Sequence, residues 1–284
     1  MFASTIKIFI NKYYHINYYY IFNIFFIHIL KLIIKKILFS VKYSLSVLKL
    51  YTSPNTKPYA LRYYEVAPQP PVERITSWSL YENEEIIKCY NHFKDKFKKA
   101  VFLLDKQSSL EYAIKKSLQE DPKQSKTYLE FGVWTGTSIN FLSRFLDKTN
   151  IYGFDSFEGL REDWHGYHIT SGTFNLNKKA PKLRKNVMPK IGIIQDTLPL
   201  FLSDKKPAIN FMHIDTDTYE TAKFILDSTK KYLSKNCIIV FDELYNFPGW
   251  DVGEYKALTE TFTENEYKFL GFALKGEQAV IQII

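Results

Sequence analysis

Two groups of residues in the second half of the chain have the types and spacing that chemistry requires. The first is acidic, since Asp215 and Asp217 follow one apolar run and Asp242 and Glu243 follow the next. The carboxyl ends of adjacent parallel strands lie at the same rim of a sheet, so these four carboxylates are expected to converge. Like charges that lie close together are costly without a positive partner. A divalent cation with oxygen ligands, such as Mg²⁺, would satisfy such a group.

The second group is a glycine turn between two apolar runs. Residues 128–131 form the first run, the turn extends from Gly132 to Gly136, and the second run ends in Asp155. This order of strand, glycine turn, helix, strand and acid is typical of nucleotide sites, where the ligand approaches bare backbone and the acid accepts hydrogen bonds from a ribose. All 11 glycines lie at residue 132 or later, so the ligand site is expected in the second half.

The net charge of the chain is concentrated in its first part. Of 284 residues, 46% are hydrophobic, which is enough for a sizeable core and fits one domain plus appendages. Residues 1–64 contain nine Lys or Arg and no acid, whereas residues 65–284 contain 29 basic and 30 acidic residues. The near-neutral remainder argues against a nucleic-acid partner, because the basic surface would have to lie on the folded part.

The sequence divides into three parts. Residues 1–50 are basic and apolar, and the uncharged stretch 13–30 indicates either membrane contact, peripheral or as a single span, or a miscalled start. Residues 51–74 contain five prolines and are interpreted as a linker. Residues 75–284 are predicted to form the folded domain, with a helical part at 80–122. A cytoplasmic location is expected, and membrane association is left open.

Beyond the predicted helices at 82–101 and 108–119, short apolar runs alternate with helical patterns. This alternation predicts an α/β fold, a Rossmann-like doubly wound, mostly parallel sheet of seven strands. Strands are predicted at 127–131, 151–155, 191–195, 209–214 and 237–241, with helices at 137–147 and 219–233. The last two runs, 267–274 and 278–284, are separated by three residues, too few for a parallel crossover, so they are expected to form an antiparallel C-terminal hairpin.

Five segments together resemble the class I S-adenosylmethionine-dependent methyltransferases, in particular the TylF-like group of macrolide-sugar O-methyltransferases. These segments are Glu130–Gly136, Gly153–Leu160, Gln195–Pro199, His213–Tyr219 and Phe241–Glu243. The resemblance covers about residues 75–284 and is silent on the first 50. It implies methyl transfer from S-adenosylmethionine to a hydroxyl of a small-molecule or glycan acceptor, a sugar or glycoconjugate, with Mg²⁺ assistance.

The resemblance also implies roles for individual residues. Cofactor contacts are assigned to Glu130, Gly132, Trp134, Gly136, Ser138, Asp155, Ser156 and Asp196. Among them Asp155 would hold the ribose, Asp196 would reach the adenine, and Ser138 would meet the methionine carboxylate. Each of these three also has an ordinary interpretation, as a turn cap or a first-turn residue. The metal ligands would be Asp215, Asp242 and Glu243, where Glu243 replaces the second Asp of the family's pair.

Proton transfer and substrate contact are expected from residues on the same rim. A carboxylate beside the acceptor hydroxyl would take its proton, with Asp217 the first candidate and Asp215 the second. His213 is expected to be buried structure that alternates away from the carboxylates along its strand. The long segment 161–189, which also contains His168, is interpreted as a lid. Candidate substrate contacts are Trp164, His165 and Trp250, although packing is an equally good interpretation of Trp250.

Three other functions are left open by the residues. One is a metal-independent methyltransferase acting on another nucleophile, with the acidic rim binding a cationic or polyhydroxylated substrate. A second is an NAD-type oxidoreductase, although residues 130–136 lack a full GxGxxG and such an enzyme would not explain the C-terminal hairpin. A third is a membrane-attached binding protein without turnover. A homo-oligomer is also left open.

Overall fold

The computed structural model describes residues 75–166 and 169–284. The segments interpreted as a membrane-contacting tail, 1–50, and as a linker, 51–74, lie outside the described residues, as does His168 of the predicted lid. Within the described ranges, no helix has both the length and the apolar character that a membrane span requires. Residues 75–284 form a single compact unit.

Two capped helices open the domain, with a short strand between them. Helix α1, Ser77–Phe97, begins with a capping box in which the Thr76 side chain accepts from the backbone of Ser79. Strand β1, Val101–Leu103, follows. Helix α2, Lys106–Glu120, has the same kind of cap, formed by Asp105. The prediction of one helix over 82–101 therefore ends too late, because its last residue already belongs to β1.

The sheet confirms the predicted architecture and has one strand more than predicted. Its further strands are β2 Thr127–Phe131, β3 Ile151–Asp155, β4 Val187–Ile191, β5 Ile209–Ile214, β6 Leu233–Phe241, β7 Tyr267–Ala273 and β8 Ala279–Ile283. The eight strands are ordered β1-β7-β8-β6-β5-β2-β3-β4. Strand β8 runs antiparallel to both β6 and β7, and the other neighbouring pairs are parallel. The additional strand, β1, extends the sheet beyond β7.

Strand β4 does not lie where the sequence predicted it. The prediction was 191–195, but the strand spans Val187–Ile191 and helix α4 begins at Ile194. The reason is that β4 is an edge strand whose residues are mostly accessible, and it contains Pro189. A continuous apolar run signals a strand buried on both faces, so the run 191–194 was mistaken for the strand itself.

Helices cover both faces of the sheet. In addition to α1 and α2, these are α3 Thr137–Leu142, α4 Ile194–Lys205, α5 Tyr219–Thr229 and α6 Glu254–Thr261. Short 3₁₀ turns follow α3 and α5, at Ser143–Phe145 and Lys230–Tyr232, which accounts for the longer helices predicted at 137–147 and 219–233. The buried side chains form two apolar clusters.

Phe93 anchors α1 in the larger cluster. Its ring is fully buried and lies 5.1 to 5.8 Å from the rings of Trp250, Tyr255, Phe269 and Phe272. Aromatic rings at such separations add to the free energy gained from burying their surface. Helix α1 is therefore part of the domain core.

Replacing Phe93 with Ala is expected to lower the free energy of unfolding by about 3 to 5 kcal/mol, because it leaves a cavity among aromatic rings. Urea unfolding followed by circular dichroism measures this change. The matched control is Tyr90→Ala, since Tyr90 lies on the same helix and is 58% exposed; its cost should stay within about 0.5 kcal/mol. Equal effects of the two substitutions would mean that α1 is not anchored through Phe93.

Candidate active site

One cavity of about 720 Å³ lies at the carboxyl ends of strands β2, β3, β5 and β6. In chain order the strands extend from β2 toward β4 on one side and continue with β5 on the other, so the cavity lies at the point where the strand order reverses. Ligands of open α/β sheets bind at such points. The lining brings together Lys106, Gly132, Trp134, Ser138, Asp155, Ser156, Trp164, Asp215, Asp217, Asp242 and Glu243.

The backbone of the glycine turn packs directly against the backbone at the end of β5. Gly132 has φ +86°, and a Cβ added to it would lie 1.6 Å from the carbonyl oxygen of Asp215. Both the backbone conformation and the lack of space thus require glycine at this position. Gly136, the other glycine of the turn, is not a lining residue, although its neighbours Thr135 and Thr137 are.

Asp155 ties the glycine turn to the end of β3. Its Oδ2 accepts hydrogen bonds from the backbone N–H groups of Val133 at 2.8 Å and Trp134 at 2.7 Å, and its Oδ1 accepts from Phe157 at 2.7 Å. A carboxylate offers about four acceptor positions, so about one remains for a ligand. Asp155 therefore serves the turn first and leaves room for one hydroxyl rather than two. Ser156, which lines the cavity beside it, accepts from the backbone of Glu158 at 3.1 Å.

A buried polar chain crosses the sheet beneath the cavity. Ser138 donates its hydroxyl proton to Glu130 Oε1 at 3.0 Å, and His213 Nδ1 lies 3.1 Å from Glu130 Oε2. On its other side His213 Nε2 lies 3.5 Å from Asp242 Oδ1. Glu130 and His213 are fully buried, so this pair is a structural part of the sheet. In this arrangement the Ser138 hydroxyl can accept a hydrogen bond from a ligand, but its proton is donated to Glu130 and not to a ligand carboxylate.

Burial by itself would lower the pKa of His213, but hydrogen bonds to Asp242 and Glu130 outweigh it and raise the pKa to about 10. The imidazole is therefore charged at neutral pH. The prediction that His213 is buried is confirmed, whereas the prediction that it points away from the carboxylates is wrong. Asp215 directly follows β5 and continues its alternation, so residues 213 and 215 share a face, because side chains alternate with a period of two.

Lys106, at the first residue of α2, enters the acidic rim. Its Nζ lies 2.8 Å from Asp215 Oδ2 and 2.6 Å from Asp242 Oδ2. Burial opposes the charged form, yet the charges of Asp215 and Asp242 outweigh it and raise the pKa of Lys106 above its usual value. Lys106 was not among the predicted site residues, since no local pattern in the sequence connects a lysine in the helical part with acids more than a hundred residues later.

The surroundings of the remaining two carboxylates of the rim favour their protonated form. Burial, followed by the charges of nearby acids, raises the pKa of Asp217 and of Glu243 well above their usual values. Asp217 adopts φ +63° in the loop after β5. Glu243 donates its backbone N–H to Glu254 Oε2 at 3.1 Å, and its own Oε2 is buried without a hydrogen-bond partner.

The predicted metal ligands do not form one set. Among the described residues, two groups place three candidate ligand atoms within 4.8 Å of one another, and neither is the predicted trio of Asp215, Asp242 and Glu243. One group is His213, Asp215 and Asp242, and the other is Asp215, Asp217 and Glu243. The predicted trio is divided because Asp242 faces His213 and Lys106.

Besides Gly136 and the fully buried Glu130, three further predicted site residues lie outside the cavity lining. Trp250 is only 2% exposed, with its ring 5.2 Å from Phe93, so it packs in the core and does not form a wall. Asp196 is exposed in the first turn of α4, and the cavity is lined by its neighbour Gln195 instead. His165 is exposed outside the lining, while Trp164 next to it is buried and lines the cavity.

The long connection between β3 and β4 contributes to the cavity lining, and its role as a lid stays a prediction. Gly159, Leu160, Arg161 and Phe174 line the cavity from it, together with Trp164. The backbone N–H of Leu160 donates to Thr173 at 2.9 Å, and that of Gly172 donates to Leu160 at 2.8 Å, so the segment is closed on itself. Gly166 meets the loop after β6, where a Cβ added to Gly249 would lie 2.9 Å from the Gly166 Cα.

Comparison with known proteins agrees with the fold. Residues 129–244 match the family model described as a methyltransferase domain. The calicheamicin methyltransferase CalS11 is 20% identical, with 81% of this chain and 93% of that chain covered at a TM-score of 0.50. The O-methyltransferase NovP is 16% identical, with 61% and 78% covered at a TM-score of 0.47. No curated protein matches the chain. Residues 129–244 therefore match a methyltransferase domain, and the chain shares the fold of a methyltransferase.

Gly132→Ala is expected to abolish binding of S-adenosylhomocysteine, because the added methyl group would overlap the backbone of Asp215. The matched control is Gly172→Ala, since Gly172 has φ +84° but open space around its Cα. The control carries only the backbone strain, about 1 to 2 kcal/mol. Calorimetric titration and thermal melting of both variants separate overlap from strain. Equal binding by the two variants would contradict this account of the turn.

Asp155→Ala is expected to weaken S-adenosylhomocysteine by about 1 to 3 kcal/mol, since the glycine turn and the ligand both lose a charged acceptor. The variant should also melt at a lower temperature, because three backbone N–H groups lose their partner. Asp204→Ala, at an exposed position of α4, serves as the control. Unchanged affinity by calorimetry would remove Asp155 from the cofactor site.

Proposed function

We propose that the protein is an O-methyltransferase of the TylF-like kind that transfers the methyl group of S-adenosylmethionine to a hydroxyl of a sugar or glycoconjugate. One observation carries this proposal. The glycine turn with Asp155 and the acidic rim with Asp217 line the same cavity. Its volume of about 720 Å³ lies within the range of ligand sites, about 300 to 1,000 Å³. A methyl donor and an acceptor can therefore meet within it.

The donor is assigned to the part of the cavity formed by β2 and β3. Gly132 lines this part and packs the turn against the Asp215 backbone, and the remaining acceptor position of Asp155 suits a ribose hydroxyl. Trp134, which is 46% exposed, and Ser156 line the same part. These residues would orient S-adenosylmethionine, whose sulfonium supplies an electrophilic methyl group. Asp196 stays a prediction for the adenine, and Gln195 is the better placed residue.

The acceptor is assigned to the acidic rim. Carboxylates accept hydrogen bonds from hydroxyl groups, and a sugar presents several such donors. Asp217 is proposed as the general base, because it lines the cavity while Lys106 binds Asp215 and Asp242 instead. Burial raises the pKa of Asp217, and a carboxylate with a raised pKa is a stronger base. As the acceptor oxygen forms its bond to the methyl carbon, its proton passes to Asp217. The carbon–sulfur bond breaks, and its electron pair stays on sulfur to give S-adenosylhomocysteine.

Asp215 is less suited to act as the base. Its Oδ2 accepts from Lys106 at 2.8 Å, and this bond stabilises the charged carboxylate. Burial and the charge of Asp242 raise the pKa of Asp215 to about 6, against the opposing effect of Lys106. A carboxylate that is hydrogen-bonded to an ammonium group is better placed to orient the acceptor than to take its proton.

The residues of the rim do not fit the predicted magnesium site. Two of the three predicted ligands, Asp215 and Asp242, are bonded to Lys106, and Glu243 does not converge with both of them. The buried Glu243 Oε2 lacks a hydrogen-bond partner, and burial raises the pKa of this carboxyl well above its usual range. The proposed reaction therefore proceeds through side chains alone, which is the metal-independent alternative applied to a hydroxyl acceptor.

Asp217→Asn should lower kcat by about 100-fold or more, because the general base is lost while the side-chain shape is kept. Affinity for S-adenosylhomocysteine should stay unchanged. The assay combines S-adenosylmethionine with a panel of nucleotide-linked sugars and free glycosides and measures S-adenosylhomocysteine by mass spectrometry. A TDP-linked deoxysugar is the first acceptor to test, since CalS11 is described as a TDP-rhamnose 3'-O-methyltransferase.

The control for this experiment is Asp204→Asn, which removes an exposed charge on α4. Full turnover by Asp217→Asn would exclude Asp217 as the base. A rise in melting temperature with NAD but not with S-adenosylmethionine would overturn the proposed function as a whole, because a ligand bound by the native state stabilises it.

A further inference from the structure

We propose that Lys106 is the permanent cation of the acidic rim, and that its ammonium group takes the place of a divalent metal ion by bridging Asp215 and Asp242. This inference rests on the proposed function for its chemical consequence, but its central claim concerns cation binding. The Nζ lies 2.8 Å from Asp215 Oδ2 and 2.6 Å from Asp242 Oδ2. Both are distances of charge-assisted hydrogen bonds.

The ammonium group uses the oxygens that a metal ion would need. Mg²⁺ requires oxygen ligands at about 2.0 to 2.1 Å in near-octahedral geometry. On Asp242, Lys106 takes Oδ2 and His213 lies 3.5 Å from Oδ1, so both oxygens of this carboxylate face cationic groups. A divalent ion entering between Asp215 and Asp242 would have to displace the ammonium group and would be repelled by it.

The second acidic group also includes a carboxylate that Lys106 holds. Asp215, Asp217 and Glu243 have ligand atoms within 4.8 Å of one another, but Asp215 is bonded to Lys106. A metal ion bound to this group would share Asp215 with the ammonium group. The same repulsion therefore acts against both candidate sets that the described residues contain.

The position of Lys106 in its helix supports a role other than stability. It is the first residue of α2, a helix of 15 residues, and a positive charge there opposes the helix dipole. The helix start is nevertheless well defined, because Asp105 caps it and Leu110 is buried one turn later. The side chain thus extends from a rigid element into the cavity, where it is 41% exposed.

In the proposed reaction Lys106 is a catalytic residue that contacts the acceptor. An ammonium group has three donors, and two of them are used by Asp215 and Asp242. A third donor can meet the acceptor hydroxyl oxygen and stabilise the negative charge that develops as Asp217 takes the proton. Mg²⁺ coordination would otherwise supply this stabilisation.

The test measures binding of Mn²⁺, as a probe for divalent ions, by electron paramagnetic resonance. The wild type should bind no Mn²⁺ in the rim and should keep full methyl transfer in excess chelator. Lys106→Met should bind Mn²⁺ through the released carboxylates and lose at least about 100-fold in kcat, since the developing charge loses its partner. Lys106→Arg, which keeps the charge, should bind no Mn²⁺ and keep more activity than Lys106→Met.

The control is Lys115→Met, which removes an exposed ammonium from the same helix, 57% exposed and paired with Glu111; it should behave as the wild type does. Binding of S-adenosylhomocysteine reports whether each variant is folded. If Lys106→Met does not fold, Mn²⁺ binding and activity in chelator of the wild type and of Lys106→Arg still test the proposal. One Mn²⁺ bound per wild-type chain, together with loss of activity in chelator, would overturn the proposal.

The two proposals fail in different ways. Mn²⁺ binding needs no acceptor, so a wild type that excludes Mn²⁺ beside a Lys106→Met variant that binds it supports the role of Lys106 even if no sugar is methylated. Methylation of a sugar by a wild type that requires Mn²⁺ supports the proposed function and overturns the role of Lys106.

Discussion

The imidazolium of His213, held between Glu130 and Asp242, is the constraint on which the site depends. A buried charge is tolerated only when it is paired and hydrogen-bonded, and removing one partner leaves the other uncompensated. The three groups come from adjacent parts of the sheet, since Glu130 pairs in register with His213, which pairs with Val240, two residues before Asp242. Correct alignment of three strands is therefore a condition for satisfying the charge.

The same interaction connects the two halves of the cavity. From Ser138, on the side of the glycine turn, hydrogen bonds and ion pairs lead through Glu130, His213 and Asp242 to Lys106. Donor and acceptor regions are thus parts of one polar network. In such networks the members polarise one another, so the effect of losing one contact extends beyond its immediate partners.

Sequence patterns best predicted the features that depend on local periodicity, such as the bounds of buried strands. The buried strand 209–214 was predicted at its observed bounds, since both of its faces are covered and most of its residues are apolar. The convergence of Asp215, Asp217, Asp242 and Glu243 followed from the parallel order of two strands. What counterbalances these acids did not follow, because Lys106 reaches them through tertiary packing alone. Trp250 illustrates the same limit. The sequence around it fits a loop at the rim of the site as well as the aromatic core cluster in which it lies.

The two edge strands of the sheet have features that disfavour pairing with a strand of another molecule. At one edge β4 carries Pro189, which has no N–H to donate, followed by Lys190, and at the other edge β1 has only three residues. Unpaired backbone along an edge can recruit a strand from another molecule, and a missing donor, a charge or a short length each discourages it. The proline that obscured β4 in the sequence therefore also guards the folded domain against aggregation through its sheet.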